Sequence, residues 1–371
     1  MQILHLAYED PRQPGSGGGA IRTREINRRL AGRHAITAIV AGYPGARERV
    51  EWGIHWVPVG SWQRGMINRL AYFALLHREV QRRRADLIVE DFGAPFSTGL
   101  APLTTRTPVV ASVQWLFADQ MRVKYGLPFD WIEQGGLRAY PDFIAVSAWL
   151  ASEVRRRRPG AVVEVIPNGI EGAAFDTRPR IPQHLVFIGR LDMAQKGCDL
   201  LLEIMVRIRA ALGERTPTLK VIGDGPALGI MQEHIRQLGL ADNVCFLGRL
   251  DGAEKYAVLA DAHAVLMPSR FETFGMVAVE AQAAATPVVA FDVGPLAEVA
   301  GGGGACLVPP FDLDHFARVT VEIIEHPADF AERRMMGREW ARRYDWDTLA
   351  LQQEAHYSRA LTRGSRGKMR R

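Results

Sequence analysis

The sequence predicts an α/β protein of two doubly wound domains that face a central cleft, and three observations support this. Short, nearly continuous apolar runs alternate with amphipathic segments, as in parallel sheets covered by helices on both faces. This pattern is interrupted between Asn168 and Gln183 by a segment rich in glycine, proline and charge, and then begins again. The length of 371 residues also suits two or three domains. In such sheets ligands bind at the carboxyl ends of the strands.

Strands in the first half are predicted from seven runs of β-branched and apolar residues. The runs are Ile3–Ala7, Ile36–Ala41, Ile54–Val57, Leu87–Glu90, Val109–Val113, Phe143–Val146 and Val162–Ile166. Helical periodicity predicts helices at 19–31, 65–84 and 147–157. The helix at 65–84 has an apolar side that suits either the core or a membrane surface.

The second half repeats the alternation. Strands are predicted at 184–188, 218–222, 243–247, 263–267, 287–290 and 305–308, and helices at 197–213, 226–238, 253–260, 275–285, 312–325 and 328–343. We therefore expect an N-terminal domain at 1–170, a linker at 171–183, a C-terminal domain at 184–344 and a basic tail at 362–371.

Charge is distributed unevenly along the chain. The net charge is +5, but residues 1–180 carry +7 and residues 181–371 carry −2, and the last nine residues alone contribute +5. This excess suits an anionic partner, although no nucleic-acid-binding motif is present and we expect no nucleic acid partner. The three cysteines lack metal-ligand spacing, no apolar run is long enough to span a bilayer, and the N-terminus is unlike a secretory signal. We expect a cytoplasmic protein.

The glycine run Gly15-Ser16-Gly17-Gly18-Gly19-Ala20 fits a dinucleotide-binding fingerprint only superficially. Seven residues with two prolines separate it from the first strand, and no acidic residue ends the second strand to hold a ribose. Two interpretations remain. The run is either a purely structural loop, or a flexible loop that brings backbone N–H groups of Gly18 and Gly19 to an anion or sugar.

Charges and glycines follow the first three strands of the second half. Gly189-Arg190 ends the first strand and Lys196-Gly197 precedes a helix, which gives two cations suited to a diphosphate. The next two strands end in Gly223-Asp224-Gly225 and Leu247-Gly248. Glycine at these strand ends predicts backbone surfaces that pack against a flat ligand such as a nucleobase.

The segment PSRFETFGMVAVEA, residues 268–281, is the most informative in the chain. A helix predicted to begin near Gly275 would direct the N–H groups of Phe274 to Met276 toward a ligand. Glu272 and Glu280 are eight residues apart, about 12 Å on a continuous helix. A retaining glycosidase pair requires only about 5–5.5 Å. We therefore expect separate tasks, with Glu280 accepting hydrogen bonds from a ribose diol and Glu272 reaching a sugar.

Together these motifs resemble the nucleotide-sugar-binding domain of the retaining GT-B glycosyltransferases, family 4 in the sequence-based classification, with two Rossmann-like domains. The resemblance covers 184–312. The matching residues are Gly189-Arg190, Lys196-Gly197, Gly223–Pro226, Phe246–Gly248, Glu272 and Glu280, Thr286–Val289, Asp292–Gly294 with Glu298, and Leu307–Pro310. In the first half Gly18-Gly19, Val146-Ser147 and Val165–Ile170 match in order, and residues 345–361 resemble a terminal helix that packs back on the first domain.

The resemblance implies a metal-independent hexosyltransferase without a cofactor, in which a donor phosphate oxygen deprotonates the acceptor hydroxyl. Arg190 and Lys196 would neutralise the diphosphate, and Glu272 would act at the donor sugar. The remaining donor-binding positions would be Gly19, Gly189, Gly223, Gly225, Leu247, Phe274, Gly275, Met276 and Glu280.

One departure from the family pattern lies after the strand Val109–Val113. Many members have a histidine there that contacts the donor sugar, whereas this chain has Gln114 followed by Trp115. Glutamine can donate and accept hydrogen bonds but does not become charged near neutral pH. Gln114, Trp115 and Gly18 are thus candidates for contact with the sugar or the acceptor.

Alternative functions on the same fold are a nucleotide-sugar epimerase, a phosphorylase and a non-catalytic nucleotide-sugar-binding protein. A phosphorylase would need a lysine for a cofactor Schiff base and a much longer chain. The expected partners are a UDP- or GDP-sugar donor and a small-molecule, glycan or lipid-linked acceptor. The positive first half also suits weak contact with an anionic membrane, at the inner membrane face.

Overall fold

The structure, a computed structural model, describes residues 1–60, 66–93, 99–116, 118, 122, 126 and 128–369. It contains two compact units. Unit 1 comprises Met1–Asn168 and Trp346–Arg371, and unit 2 comprises Gly169–Asp345. Each unit is an α/β sheet with helices packed on it, and the predicted fold class is confirmed.

Unit 1 contains an eight-stranded sheet of order β3-β4-β2-β1-β5-β6-β7-β8. Its strands are β1 (Gln2–Leu6), β2 (Ala35–Ala41), β3 (Arg49–Glu51), β4 (Ile54–Val59), β5 (Leu87–Phe92), β6 (Val109–Val113), β7 (Asp142–Ala145) and β8 (Val162–Val165). All neighbours are parallel except β3 and β4. The sequence prediction omits β3, which is only three residues long and is joined to β4 by a tight turn in which Trp52 and Gly53 both have positive φ.

The described α-helices that accompany this sheet are α1 (Gly18–Leu30), α2 (Met66–Arg82), α3 (Phe129–Ala139), α4 (Ala148–Arg157) and the long C-terminal α14 (Trp346–Met369). Helix α2 buries Tyr72, Leu76 and Val80, which recur every four residues along one side. Residue 65 of the predicted helix at 65–84 lies outside the described residues. Trp346, Leu349 and Tyr357 of α14 pack in the unit 1 core with the strands β1, β2 and β5.

Unit 2 contains a six-stranded parallel sheet of order β11-β10-β9-β12-β13-β14. The strands are β9 (His184–Ile188), β10 (Leu219–Ile222), β11 (Val244–Gly248), β12 (Ala262–Met267), β13 (Val288–Phe291) and β14 (Ala305–Val308). The described helices are α5 (Ala173–Asp176), α6 (Met193–Lys196), α7 (Cys198–Leu212), α8 (Leu228–Gln237), α9 (Gly252–Ala260), α10 (Met276–Ala283), α11 (Leu296–Val299), α12 (Leu313–Glu325) and α13 (Ala331–Ala341).

The expected linker at 171–183 is instead part of unit 2. It contains the short helix α5, and its backbone donates hydrogen bonds from Arg180 N to Ala260 O (3.0 Å) and from Gln183 N to Asp261 O (2.8 Å). The prediction rested on composition, but these backbone bonds attach the segment to the end of α9 despite the absence of an apolar period.

The expected tail at 362–371 is also corrected, because α14 continues as a helix to Met369. Arg363 pairs with Asp142 of β7, which anchors this part of the helix within unit 1. Basic residues near the C-terminus of a helix also complement its dipole, so the charge that suggested a tail is compatible with helical structure.

Candidate functional site

The strand order of unit 2 places a topological switch point at β9. Strand β9 is flanked by β10 on one side and β12 on the other, and the chain builds outward from it in both directions. In doubly wound sheets the loops that leave the carboxyl ends of the two strands at a switch point diverge and form a ligand-binding crevice. The loop after β9 and the loop after β12 therefore define the candidate site.

Lys196 and Glu272 meet at this point. Lys196 ends α6, which follows β9, and its Nζ donates a hydrogen bond to Glu272 Oε1 at 2.6 Å. Ser269 Oγ donates to the same oxygen at 2.8 Å. The Glu272 side chain is 5% exposed and the Lys196 side chain 18%. A lysine from one loop is thus held at the carboxylate of the other, and both groups remain next to the crevice.

The local backbone explains how Lys196 reaches this position. The Asp192 carboxylate accepts a hydrogen bond from Gln195 N at 2.9 Å and caps α6. Gly197 follows with φ of +64°, and a Cβ there would lie 2.1 Å from the Pro268 carbonyl oxygen. Only glycine permits this contact, which brings the turn after α6 against the loop after β12.

Arg190, the second predicted cation, lies on the surface of the same loop. Its Nη2 donates to Gln195 Oε1 at 2.9 Å, and the side chain is 61% exposed. Asp192 lies 3.7 Å away. An arginine with such weak restraint can turn toward an anionic ligand without breaking a buried contact.

Glu280 belongs to a second, separate ion pair. It lies on α10, and its Oε1 accepts a hydrogen bond from Lys255 Nζ of α9 at 3.0 Å. The two side chains are 11% and 12% exposed. Burial raises the pKa of Glu280 above its ordinary value, and the Lys255 ammonium partly offsets this. Glu272 and Glu280 are therefore held by different cations, Lys196 and Lys255.

Close backbone contacts join the ends of β9, β10 and β11. Gly223 N donates to Gly248 O at 2.7 Å, and a Cβ on Gly223 would lie 1.9 Å from Gly189 O. A Cβ on Gly225 would lie 2.4 Å from Leu191 O. Leu247 is half-buried at the end of β11, the edge strand. The predicted nucleobase positions thus form one continuous backbone surface beside the Lys196 loop.

Helix α10 begins at the end of the loop that follows β12. Gly275 has φ of +91° and precedes Met276, the first helical residue, whose N–H has no acceptor within the helix. The Phe274 side chain is buried and packs edge-on against Tyr344 at a centroid distance of 5.6 Å. Phe274 can therefore contribute to a ligand only through its backbone, as the sequence interpretation requires.

Three polar residues near the site were not predicted from the sequence. Ser269 holds Glu272 and Lys255 holds Glu280, as described above. Arg270 binds Asp199 through two hydrogen bonds of 2.8 and 2.7 Å and also donates to Met193 O, which ties the β12 loop to the loop after β9. Ser269 and Arg270 lie within the segment that the sequence singled out, whereas Lys255 has no motif that marks it.

The structure places the remaining candidates in unit 1. Gly18 and Gly19 are the first two residues of α1 rather than part of a loop, so their N–H groups lack helical acceptors. Gln114 follows β6, and its Cγ would lie 3.8 Å from a Cβ on Gly19. The half-buried Trp115 comes next in the chain. These residues form a second group, described separately from the unit 2 site.

Comparison with protein families gives two matches that agree with this division. The model for glycosyl transferases group 1 matches residues 182–326. The model for glycosyltransferase family 4 matches residues 16–172. No described helix is long and apolar enough to cross a membrane.

Two relatives extend the match across both units. A phosphatidyl-myo-inositol mannosyltransferase from Mycolicibacterium smegmatis is 30% identical over 78% of this chain and 76% of its own length. An MMP alpha-(1->4)-mannosyltransferase from Mycolicibacterium hassiacum is 31% identical over 71% of this chain, which spans 64% of that relative's length.

Solved structures show the same fold. A sucrose-phosphate synthase from Thermosynechococcus elongatus has a TM-score of 0.82 at 19% identity and covers 97% of this chain and 99% of its own. The Anabaena protein Alr3699/HepE, solved with UDP and glucose, has a TM-score of 0.72 at 19% identity over 96% of this chain and 99% of its own. The chain therefore belongs to family 4 of the glycosyltransferases and is a hexosyltransferase of the GT-B fold.

Proposed function

We propose that the chain transfers a hexose or hexose derivative from a UDP- or GDP-sugar to a hydroxyl acceptor, with retention of anomeric configuration and without a metal ion or cofactor. The observation that carries this proposal is the meeting of Lys196 and Glu272 at the β9–β12 switch point of unit 2. A cation for a phosphate and a carboxylate for a sugar hydroxyl are there held 2.6 Å apart.

Arg190 and Lys196 supply positive charge for the diphosphate. Negative charge grows on the diphosphate as the bond to the sugar breaks, and fixed cations stabilise that charge more in the transition state than in the ground state. Lys196 is held in place by Glu272, whereas Arg190 is exposed and able to close on the ligand. Two cations and the first turn of α10 supply the stabilisation that a divalent metal would otherwise provide.

Glu280 is placed to bind the ribose. A carboxylate accepts hydrogen bonds from both hydroxyls of a vicinal diol, and Lys255 favours the ionised form of Glu280 against the effect of burial. The backbone around Gly223, Gly225 and Leu247 would contact the nucleobase. Glu272 and the amides at the start of α10 would bind the donor sugar.

The proposed chemistry is a displacement on one face of the sugar. The oxygen of the acceptor hydroxyl forms a bond to the anomeric carbon on the face from which the diphosphate departs, and the carbon–oxygen bond to the diphosphate breaks. A phosphate oxygen of the donor takes the acceptor proton, so the products are the glycoside and a nucleoside diphosphate. Glu272 already accepts hydrogen bonds from Lys196 and Ser269, which suits a binding role better than attack as a nucleophile.

The acceptor would be a small molecule, a glycan or a lipid-linked compound that binds unit 1. The positive charge of residues 1–180 favours an anionic or lipid-linked acceptor. One relative is named for a lipid acceptor, a phosphatidyl-myo-inositol. We propose a cytoplasmic location with weak contact at the inner membrane face through α3 and α4. Helix α3 exposes Trp131 (73%), and α4 exposes Trp149 (38%), Arg155 and Arg156.

A donor screen tests the proposed reaction. Thermal unfolding is followed with UDP, GDP and their sugars, and a selective rise in the midpoint identifies the donor nucleotide. Turnover with an acceptor pool, followed by NMR of the anomeric proton, should show retention. A new nucleotide sugar formed without acceptor would indicate an epimerase, and binding without turnover would indicate a binding protein; either result would overturn the proposal.

The membrane contact requires its own test. Flotation with anionic vesicles at low salt should carry part of the wild-type protein, and Trp131→Ala should reduce that fraction. High salt or neutral vesicles should abolish flotation because the attraction is electrostatic. Wild-type protein that stays at the bottom of the gradient with anionic vesicles at low salt would contradict the contact.

A further inference from the structure

A chain of hydrogen bonds in unit 1 ends at Gln114. Arg22 on α1 donates from Nη1 to Asn168 Oδ1 at 3.1 Å, and Asn168 Nδ2 donates to Gln114 Oε1 at 3.3 Å. Arg22 Nη2 also donates to Gln353 Oε1 on α14 at 2.7 Å, and Gln353 Nε2 donates to Tyr357 Oη at 2.5 Å. The chain thus links the C-terminal helix to the residue at the family's histidine position.

Arg22 fixes the direction of every bond in this chain. A guanidinium has only donors, so each amide that it contacts must present its oxygen to it. Asn168 must therefore direct its nitrogen toward Gln114, and Gln114 must direct its oxygen toward Asn168. The orientation of both amides therefore follows from their bonding partners.

Arg22 is well suited to this task because it is buried and remains charged. It is 2% exposed, and burial lowers its pKa to about 10, still well above neutral pH. Pro167 O accepts a further hydrogen bond from Nη1 at 2.5 Å. Three neutral oxygens therefore surround the guanidinium, and none of them can reverse its role as a donor.

The result of this arrangement is an unpaired amide donor. Gln114 Nε2 is shielded from water and has no hydrogen-bond partner in the described part of the chain. The stem of Gln114 packs over Gly19 at the first turn of α1. A buried donor without a partner is unfavourable, so pairing it with a ligand oxygen favours binding.

We infer that Arg22 and Asn168 are positioning residues that make Gln114 an obligate hydrogen-bond donor toward a sugar oxygen that reaches the first turn of α1. This inference rests on the proposed function, and it adds a reason why a neutral side chain serves where the family has a histidine. An imidazole that accepts from Asn168 would likewise present an N–H, so both side chains offer the same donor to the ligand.

Substitutions that replace one amide with a carboxylate of the same shape test this inference. Asn168→Asp keeps the acceptor for Arg22 but removes the donor for Gln114, so the Gln114 amide should rotate and present its oxygen to the ligand. Gln114→Glu presents an oxygen without rotation. We expect each to lower kcat/KM for the nucleotide sugar by about 10- to 100-fold, with UDP or GDP affinity changed less than about twofold. Gln114→His should be at least about tenfold more active than Gln114→Glu.

Matched controls and a structural readout complete the experiment. Asn243→Asp and Gln352→Glu make the same chemical changes at unrelated positions and should leave kcat/KM unchanged. In NMR spectra of glutamine-labelled protein, Asn168→Asp should move the side-chain amide resonances of Gln114 to the range of hydrogen-bonded groups. Retained thermal unfolding midpoints and nucleotide affinity would show that the variants are folded.

Two outcomes would overturn the inference. One is wild-type kcat/KM together with unmoved Gln114 resonances in Asn168→Asp; the other is a Gln114→His variant no more active than Gln114→Glu. Failure of the proposed function is recognised separately, because the wild-type protein would then bind neither nucleotide and turn over no nucleotide sugar. The NMR comparison would still decide whether Asn168 sets the orientation of the amide.

Discussion

Replacing Lys255 with methionine tests whether Glu280 is held as a buried carboxylate. Lys255 Nζ lies 3.0 Å from Glu280 Oε1, and the two side chains are 12% and 11% exposed. Burial raises the pKa of Glu280, and the ammonium group opposes that rise. Methionine has nearly the same length as the lysine stem, so the substitution removes the charge and retains most of the packing.

The size of the effect follows from the geometry. Two unit charges about 4 Å apart attract by roughly 4 kcal/mol at an effective dielectric constant of 20, and desolvation of both groups offsets much of this. Removing only the lysine leaves the carboxylate uncompensated, which should cost about 1–3 kcal/mol. For a unit of this size the melting temperature should fall by roughly 3–10 °C at pH 8.

The loss must become smaller as the pH falls. Glu280 has a raised pKa in the folded state, so protonation favours the folded form, and stability is lost as the pH rises from the unfolded pKa through the folded pKa. Without Lys255 the folded pKa rises further. At pH 5 more of the variant carries a neutral Glu280, and the difference from wild type should be smaller than at pH 8.

Thermal unfolding of unit 2 at pH 5 and pH 8 measures this difference. Lys255→Met is compared with Lys255→Met/Glu280→Gln, in which no charge is left unpaired, and with Lys220→Met as a control lysine on β10. The double variant should recover much of the lost stability at pH 8. An equal loss at both pH values, or a double variant as unstable as the single one, would refute the reasoning.

Three further predictions concern other parts of the structure. Gly223→Ala should lower the free energy of unfolding of unit 2 by about 3 kcal/mol or more, because the new Cβ would lie 1.9 Å from Gly189 O. Gly229 has open space around it, so Gly229→Ala should change the free energy of unfolding, measured by thermal unfolding, by less than about 1 kcal/mol. Glu272→Gln should lower kcat/KM about 100-fold while the Kd for UDP or GDP changes less than tenfold; equal losses in both would contradict a role at the sugar. Burial raises the pKa of Glu90 to about 7, and Tyr140 Oη donates a hydrogen bond to its carboxylate at 2.5 Å. The protein should therefore lose stability as the pH rises from the unfolded pKa of Glu90 to about pH 7. Tyr140→Phe should extend that loss to higher pH, and a difference in melting temperature between variant and wild type that does not change with pH would count against this reasoning.

Much of the fold could be predicted because each buried parallel strand is a nearly continuous apolar run. Every strand except β3 corresponds to such a run, and β3 was missed because three residues show no period. Helix α3 was missed because Gly135 and Gly136 weaken its helical signal. The segment at 171–183 has the composition of a linker, and only its backbone hydrogen bonds to the end of α9 reveal that it belongs to unit 2.

Some residues of the candidate site could be predicted from the sequence and others could not. Arg190, Lys196, Glu272 and Glu280 could be selected because they follow strands at the carboxyl edge of one sheet or lie in a recognisable segment. Lys255 could not be selected, because it lies 25 residues from its partner and its charge has meaning only next to a buried carboxylate.

The orientation of the Gln114 amide likewise could not be predicted from the sequence. It depends on Arg22, which is 146 residues away from Asn168 along the chain. Sequence patterns report local periodicity and spacing, whereas the polarity of a buried hydrogen-bond network depends on which distant groups the fold brings together.

The central claim, that the β9–β12 switch point of unit 2 binds a nucleoside diphosphate through Lys196 and Glu280, is tested most directly by calorimetric titration of UDP and GDP. One of the two nucleotides should bind wild-type protein. Lys196→Met and Glu280→Gln should each weaken that binding at least about tenfold, and Lys220→Met and Glu254→Gln should not change it. Unchanged affinity in both site variants, or no binding of either nucleotide to wild type, would contradict the account.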